Sequence, residues 1–399
     1  MPAAHEKPTG LVTTSMQPAV DPSQLPSASD TDLIFEPASR AEYEQTWRLN
    51  ADEWKGFLSH PSYLDREIYL GGADLTRDGN ATGWLLTHPK FPRNEDDTRP
   101  ILSSCECILK NAYVARDGKV DKVLAHGIGS VYCRPEHRGR GYAQRMMKEL
   151  GTRLETWQQP KSGRAHFSVL YSDIGPKFYA RQGWKVFPSD HVSLKPVTKE
   201  QYEQHRTSQY LPEVEDLTTE GLTSLPLIPN LESKLAELSQ NAPEKTFVAF
   251  RPDTAHFQWH FMREEFLSEY LGREKPVIKG AVDRKTGLAL IWTRTYSADA
   301  SGWHLSVLYV HVPQNVSGVA IVPSLAALLL RAQYEAFLWE MNSGIEIWEP
   351  REELVTAAQT IADDVKVITR DQEHICSLKW YGPETDDVVW LANERYAWC

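Results

Sequence analysis

The run Val131-Tyr132-Cys133-Arg134-Pro135-Glu136-His137-Arg138-Gly139-Arg140-Gly141-Tyr142-Ala143 constrains this chain more than any other part of it. A strand is expected to end at Arg134, a turn with two glycines follows, and a helix starts at about Tyr142. Ala143, Met146, Met147, Leu150, Leu154 and Trp157 then recur at helical spacing, so this helix packs on a sheet. Its first turn carries unpaired amides and the positive end of the helix dipole. Glycines at 139 and 141 let backbone amides approach an anion without interference from a Cβ. Arg134, His137, Arg138, Arg140, Arg145 and Lys148 make this the most basic stretch of a chain whose formal charge is −11. Such a turn suits a pyrophosphate; the plainer reading is a tight turn with solvated arginines. It is neither G-x-G-x-x-G nor a P-loop, because it has no third glycine and no GK[ST] ending.

At 399 residues, two domains are expected. Met1 to Asp30 holds five prolines and no aromatic residue, so residues 1–30 are expected to be a disordered leader. Short elements then follow. Ile101 to Val114 and Val123 to Cys133 read as strands joined by an Asp117-Gly118 hairpin, and His166 to Tyr171 as the strand after the Tyr142 helix. This order implies an α/β chain with a mixed sheet. From Pro188 to Pro243 the periodicity weakens, which sets a boundary near residue 200 between domains 31–200 and 201–399. The second half repeats the order strand, hairpin, strand, helix, strand. Eight of the 13 tryptophans fall there and are read as core and interface packing.

Several partner classes drop out on composition. No apolar run approaches the ~20 residues of a membrane span, and Pro323 and Ser324 interrupt the longest, Ile321 to Leu330. The acidic balance disfavours nucleic acid. Five cysteines without a CxxC pair imply reduced thiols in the cytoplasm and no metal site.

Arg138, Gly141 and Ala143 match the [RQ]-x-x-G-x-[GA] loop of the GNAT acetyltransferases, and Phe178-Tyr179-Ala180-Arg181-Gln182-Gly183-Trp184 resembles their closing motif. Ser103-Ser104-Cys105-Glu106, Ala125-His126-Gly127-Ile128 and Leu170-Tyr171-Ser172-Asp173-Ile174-Gly175 look like the fungal lysine N-acetyltransferases, which join a GNAT half to a distinct C-terminal half. The resemblance implies a GNAT fold with a second GNAT-like domain, and acetyl-CoA as co-substrate. It implies acetyl transfer to a small-molecule amine, foremost the ε-amine of free L-lysine. A protein, peptide or polyamine acceptor, or an acyl-CoA-binding module without catalysis, are the rivals.

On that resemblance, Val131, Tyr132, Cys133, Arg138, Gly139, Arg140, Gly141, Tyr142 and Ala143 hold the acyl-CoA. A backbone N–H near Val131 to Cys133 supports the oxyanion. Tyr179 protonates the leaving sulfur; standing alone, it reads as a packed aromatic. Ser172 replaces an Asn common in the family seven residues before that Tyr. The substrate ammonium, with a reference pKa of about 10.4, must lose a proton before attack. Glu106 and His126 are the base candidates. Glu106 serves equally as an ammonium partner, and His126 as a satisfied strand residue. Asp173 is a further ammonium partner, or a helix N-cap.

Val312-Pro313-Gln314-Asn315-Val316-Ser317-Gly318 stands at the matching junction of the second half, without arginines or paired glycines, so no second CoA site is expected there. The chain closes on Tyr396-Ala397-Trp398-Cys399. An end this aromatic is expected to dock, with the Cys399 carboxylate as a catalytic base or with Trp398 as a simple anchor.

Overall fold

The computed structural model describes residues 20–160, 164–314 and 316–398. Most of the expected leader (residues 1–19) and Cys399 lie outside the described residues. The first half opens with β1 (Ile34–Pro37), α1 (Arg40–Trp54) and α2 (His60–Leu70). Ser39 and Ser59 cap the two helices by accepting from the backbone N–H three residues on, and Glu42 returns the bond to Ser39. Strands β2 (Ala81–Thr87), β3 (Ser103–Arg116) and β4 (Lys119–Cys133) follow. Asp117 and Gly118 join β3 to β4 with φ of 48° and 77°, the left-handed pair that a two-residue hairpin requires. Next come α3 (Tyr142–Arg153), β5 (Phe167–Ser172), α4 (Lys177–Ala180), β6 (Lys185–Val186) and β7 (Asp190–Leu194).

The second half runs α5 (Lys199–Ser208), β8 (Glu215–Leu217), α6 (Thr219–Leu222), α7 (Leu227–Asn241), β9 (Lys245–Phe250) and α8 (Thr254–Tyr270). It continues with β10 (Gly280–Val282), β11 (Ala289–Thr295), β12 (His304–His311), α9 (Val322–Leu338) and β13 (Gly344–Trp348). It ends with α10 (Glu352–Ile361), β14 (Ile368–Thr369), β15 (Ile375–Trp380) and β16 (Asp387–Trp390). The stretch expected to be irregular therefore carries β7, α5 and α7. Pro226 and Pro229 only flank or enter the first turn of α7, where proline is tolerated, while Leu227, Leu231 and Leu235 bury one face. Helix α9 and the turn before it, Gly318–Leu338, are long and apolar enough by composition to cross a membrane. They are instead mostly buried in the core of the second half.

Two mixed sheets result. One runs β1-β2-β3-β4-β5-β15-β6, with β9 on the far part of β3 and β16 on β9; the other runs β14-β7-β13-β12-β11-β10-β8. In each, a strand, a helix and a parallel strand recur: β4–α3–β5 and β12–α9–β13. The sheets do not divide at residue 200. β7 belongs to the second sheet, whereas β9, β15 and β16 return to the first. One apolar cluster spans both halves through Phe167, Phe250, Phe257, Tyr309, Trp390 and Tyr396.

A buried ionic chain ties the second sheet to its helices. Lys279 donates to Glu264 Oε1 (2.6 Å), the Arg294 amide donates to Glu264 Oε2 (2.7 Å), and Arg294 also pairs with Glu335. Arg331 links Glu335 (2.9 Å) to Asp216 (2.7 Å). Removing one member of such a chain strands buried charge. Glu264→Gln should therefore lower unfolding free energy by about 3–5 kcal/mol in chemical denaturation.

Candidate active site

Strands β4 and β5 pair in parallel only from His126↔Ser168 to Ile128↔Leu170. Beyond Ile128, β4 bulges: the register against β3 shifts between Ser104 and Glu106, and Ser130 takes φ 51°. β5 meanwhile runs on to Ser172 against β15. The edge of β4 from Gly129 to Cys133 therefore faces a cleft and not a strand, which leaves the Val131 to Cys133 backbone open on that side.

At the mouth of this cleft the two glycines are both left-handed, Gly139 with φ 76° and Gly141, the N-cap of α3, with φ 87°. A Cβ on Gly139 would meet nothing within 4 Å, whereas one on Gly141 would lie 3.3 Å from Ala28. Open space above left-handed Gly139, leading into a helix start whose first-turn amides have no intrahelical acceptor, fits a pyrophosphate. Not all the basic residues point there. Arg138 Nε donates to Cys133 O (2.9 Å) and Nη2 to Glu53 (2.8 Å), while Arg134 pairs with Glu136 (2.9 Å). Arg145 donates to the carbonyls of Ala28 (3.1 Å) and Asp30 (3.3 Å), and Tyr142 Oη donates to Pro26 O. Residues 20–30, expected to be disordered, thus lie along α3, with Leu25 and Ala28 packed on its apolar cluster. The contacts of Tyr142 and Arg145 supply what the leader's own composition lacks.

On the face of the sheet covered by α1 and α2, Glu106 opens into a cavity of about 260 Å³ with Tyr43, Trp47, Glu67, Asp78 and Trp259 in its wall. Ser130 Oγ donates to Glu106 Oε1 (2.6 Å), and Tyr43 Oη donates to Oε2 (2.5 Å). The residues opposite Glu106 on both neighbouring strands are glycines, Gly83 on β2 and Gly129 on β4. A Cβ on Gly83 would sit 2.4 Å from the Tyr43 ring, so glycine is what admits that ring. Burial, and then the charge of Glu67, push the Glu106 carboxyl above the usual glutamate range, against the pull of the Ser130 and Tyr43 hydrogen bonds. A buried carboxyl of this kind, beside a second carboxylate and three aromatic rings, can hold an ammonium and take its proton.

The other expected residues divide. Tyr179, on α4, is 8% exposed and packs with Ile128 and Leu170, the last parallel pair before the cleft. Burial, then Asp173 and Cys105, raise its hydroxyl pKa. Ser172 closes its own turn by donating to Gly175 O (2.7 Å). His126 does not join Glu106. It shares a strand face with Ile128, which packs on α3, and its Nε2 meets Gln158 (3.3 Å). Burial lowers its pKa to about 4. Asp173 is neither a cap, since Pro176 starts α4, nor a wall of the Glu106 cavity. It lies 3.0 Å from His374 Nδ1; burial raises its carboxyl pKa, but the hydrogen bonds and charge of His374 with the charge of Arg395 together lower it. The chain end is docked as expected: Tyr396 Oη donates to Phe250 O (2.7 Å) and Lys110 Nζ to Ala397 O (2.6 Å). Trp398 packs with Ile108 and Trp259.

Tyr43, Glu67 and Trp259 were missed in the sequence. The signal for Glu67 is Ser59-His60-Pro61, a cap followed by proline in the first turn, which announces α2.

A family model described as an acetyltransferase (GNAT) domain matches residues 114–187, and one described as the LYC1 GNAT-like C-terminal domain matches residues 191–399. An uncharacterized protein of Saccharomyces cerevisiae is 25% identical over 93% of this chain and 99% of its own length. A lysine acetyltransferase of Yarrowia lipolytica is 30% identical over 166 residues, 38% of this chain and 40% of the relative. The crystal structure of a GCN5-related N-acetyltransferase from Kribbella flavida aligns over 88% of this chain and 72% of its own, with 13% identity and a TM-score of 0.47.

A valine at position 141 combines a left-handed backbone, which costs an L-residue roughly 1–2 kcal/mol, with a side chain directed at Ala28. Gly141→Val should lower Tm modestly and weaken coenzyme A binding at least tenfold by calorimetry. Unchanged affinity would sink the assignment of this loop.

Proposed function

The chain belongs to the GNAT acetyltransferases whose second half is of the LYC1 GNAT-like kind, and from that premise we propose that it acetylates a small amine, the ε-amine of free L-lysine. The observation that carries this reading is the buried Glu106 beside the cleft where β4 leaves β5, facing a cavity whose wall sets Glu67, Asp78 and three aromatic rings beside Arg40 and Arg77. The name of the Yarrowia relative, lysine acetyltransferase, supports lysine as the acceptor. The free thiols of Cys105, Cys107, Cys133 and Cys376 support a cytoplasmic setting. Neither nucleic acid nor membrane has a part in the proposal.

Acetyl-CoA supplies the activated acetyl group, and in this reading its pyrophosphate rests on the amides that follow Gly139 and Gly141. Glu106 accepts the proton of the substrate ammonium at Oε1 or Oε2. Its raised pKa narrows the gap to the amine that must give the proton up. The open amides of Val131 to Cys133 face the position where negative charge grows on the carbonyl oxygen. Tyr179 Oη, at the end of the last parallel pair, returns a proton to the departing sulfur. His126, buried on the opposite face, has no part in this scheme.

Acetyl-CoA consumption across free lysine, diamines and lysine peptides tests the acceptor: lysine should give the highest kcat/KM, and turnover on none of them would sink the proposal. Tyr179→Phe should lower kcat about 10²-fold or more with coenzyme A affinity held. Glu106→Gln should lower kcat by about 10²–10⁴-fold. The wild-type kcat/KM should fall with acidification through an apparent pKa above the ordinary glutamate value of about 4.3. Because the folded pKa of Glu106 is raised, its contribution to stability is fully present at low pH and lost as pH rises through that pKa. The Tm of Glu106→Gln relative to wild type should therefore be more favourable at pH 8 than at pH 4.

A further inference from the structure

Beside the Glu106 cavity lies a group of cations for which acetyl transfer has no use. Helix α8 carries Trp259, Arg263 and Leu267 at helical spacing. Trp259 lines the Glu106 cavity, whereas Arg263 and Leu267 line a second cavity of about 40 Å³ together with Arg395 and Trp398. Arg263 bridges the two: its guanidinium carbon is 5.9 Å from the centre of the Trp259 ring and 5.5 Å from that of Trp398. Arg395 lies 4.2 Å over Trp398 and 4.4 Å over Trp348.

The neighbouring carboxylates are already committed. Glu67, whose charge reaches Arg263, accepts from Arg66 Nε (2.8 Å) and Nη2 (2.5 Å). Glu346 and Asp173, whose charges reach Arg395, are held by Trp348 Nε1 (2.7 Å) and His374 (3.0 Å). Arg395 is 5% exposed, and its Nη1 has no hydrogen-bond partner among the described residues. Burial, reinforced by Arg66 and Arg395, brings Arg263 down to about 9, so it remains a cation at neutral pH.

Two such guanidiniums on one small cavity are costly to leave without an anion. The planar guanidinium fork matches a carboxylate bidentately. A cavity of 40 Å³ exceeds the ~10–15 Å³ that one water needs, and so takes a group of a few atoms.

We infer that Arg263 and Arg395, with Trp398 beneath them, form a carboxylate-binding subsite next to the Glu106 cavity. Resting on the amine-acceptor reading, the subsite takes the α-carboxylate of an amino acid whose side-chain amine reaches Glu106.

The measurement uses the full chain with acetyl-CoA and two acceptors, lysine and pentane-1,5-diamine, which is lysine without its carboxylate. Arg263→Met should raise KM for lysine at least tenfold with kcat within threefold, and move KM for the diamine less than threefold. Arg263→Lys, which keeps the charge but loses the fork, should fold normally and show part of the same selective loss. Equal losses on both acceptors, or an unchanged preference between them, overturn the subsite. If the wild type acetylates neither amine, the proposed acceptor fails and the subsite is judged on binding. It stands if lysine raises the Tm of wild type more than the diamine does and Arg263→Met removes the difference, and it falls otherwise.

Discussion

The hydrogen bond from Ser130 to Glu106 joins the two features on which the site depends. Ser130 is the residue at which β4 bulges, and the bulge ends parallel pairing with β5 and opens the cleft. Glu106, paired with Gly129, is the last residue in register before that bulge, and the same bond fixes its carboxylate on the face that α1 and α2 cover. A regular β4 would carry its pairing onward, close the cleft and tie up the amides of Val131 to Cys133. One irregular residue thus sets both the opening for an acyl donor and the direction of the buried acid. Gly83 and Gly129 complete the arrangement by removing the side chains that would otherwise fill the space beside Glu106.

The second half is more than an attached copy of the first. β15 lies between β5 and β6, so the outer wall of the cleft is made by residues from the far end of the chain. The segment that follows β16 then docks on the Glu106 face of β3, where Lys110 holds Ala397 and Trp398 meets Ile108. Burial of Tyr396 at 0% exposure, with its hydroxyl bonded to Phe250 O, anchors this end within the shared core. Stability and cleft geometry are therefore coupled: loosening β15 or the chain end exposes the edge of β5 on which the cleft is built.

How much of this was readable without coordinates follows from which forces are local. The Asp117-Gly118 hairpin, the glycine turn at 139 to 141 and the apolar stripe of α3 are written in adjacent residues, and each was legible. The order β12–α9–β13 was equally plain, as was the absence of a glycine–arginine loop before α9. Strand exchange was not, because β7 and β15 differ little from other short strands and their partners are set by long-range packing. The site shows the same limit more sharply. Glu106 and His126 both sit on long strands, and alternation along either strand is clear. The register runs unshifted from Arg116↔Lys119 to Glu106↔Gly129 and sets Leu109 opposite His126, so Glu106 and His126 lie on opposite faces; the bulge beyond Glu106, which opens the cleft, has no such local signal.

Selectivity follows from setting the two cavities side by side. The Glu106 cavity offers Glu106, Glu67, Asp78 and aromatic rings to an ammonium, with Arg40 and Arg77 also in its wall, and nothing in that lining separates a polyamine from an amino acid. Specificity needs a feature that penalises the wrong acceptor. Arg263 supplies it from the wall shared with Trp259: a second ammonium directed there meets guanidiniums, while a carboxylate meets two forks. With the proposed subsite in place, the acceptor selected is one with opposite charges at its two ends. Neither cavity imposes that choice alone, and the residue that joins them lies on α8, outside the part of the chain that carries the acyl-donor loop.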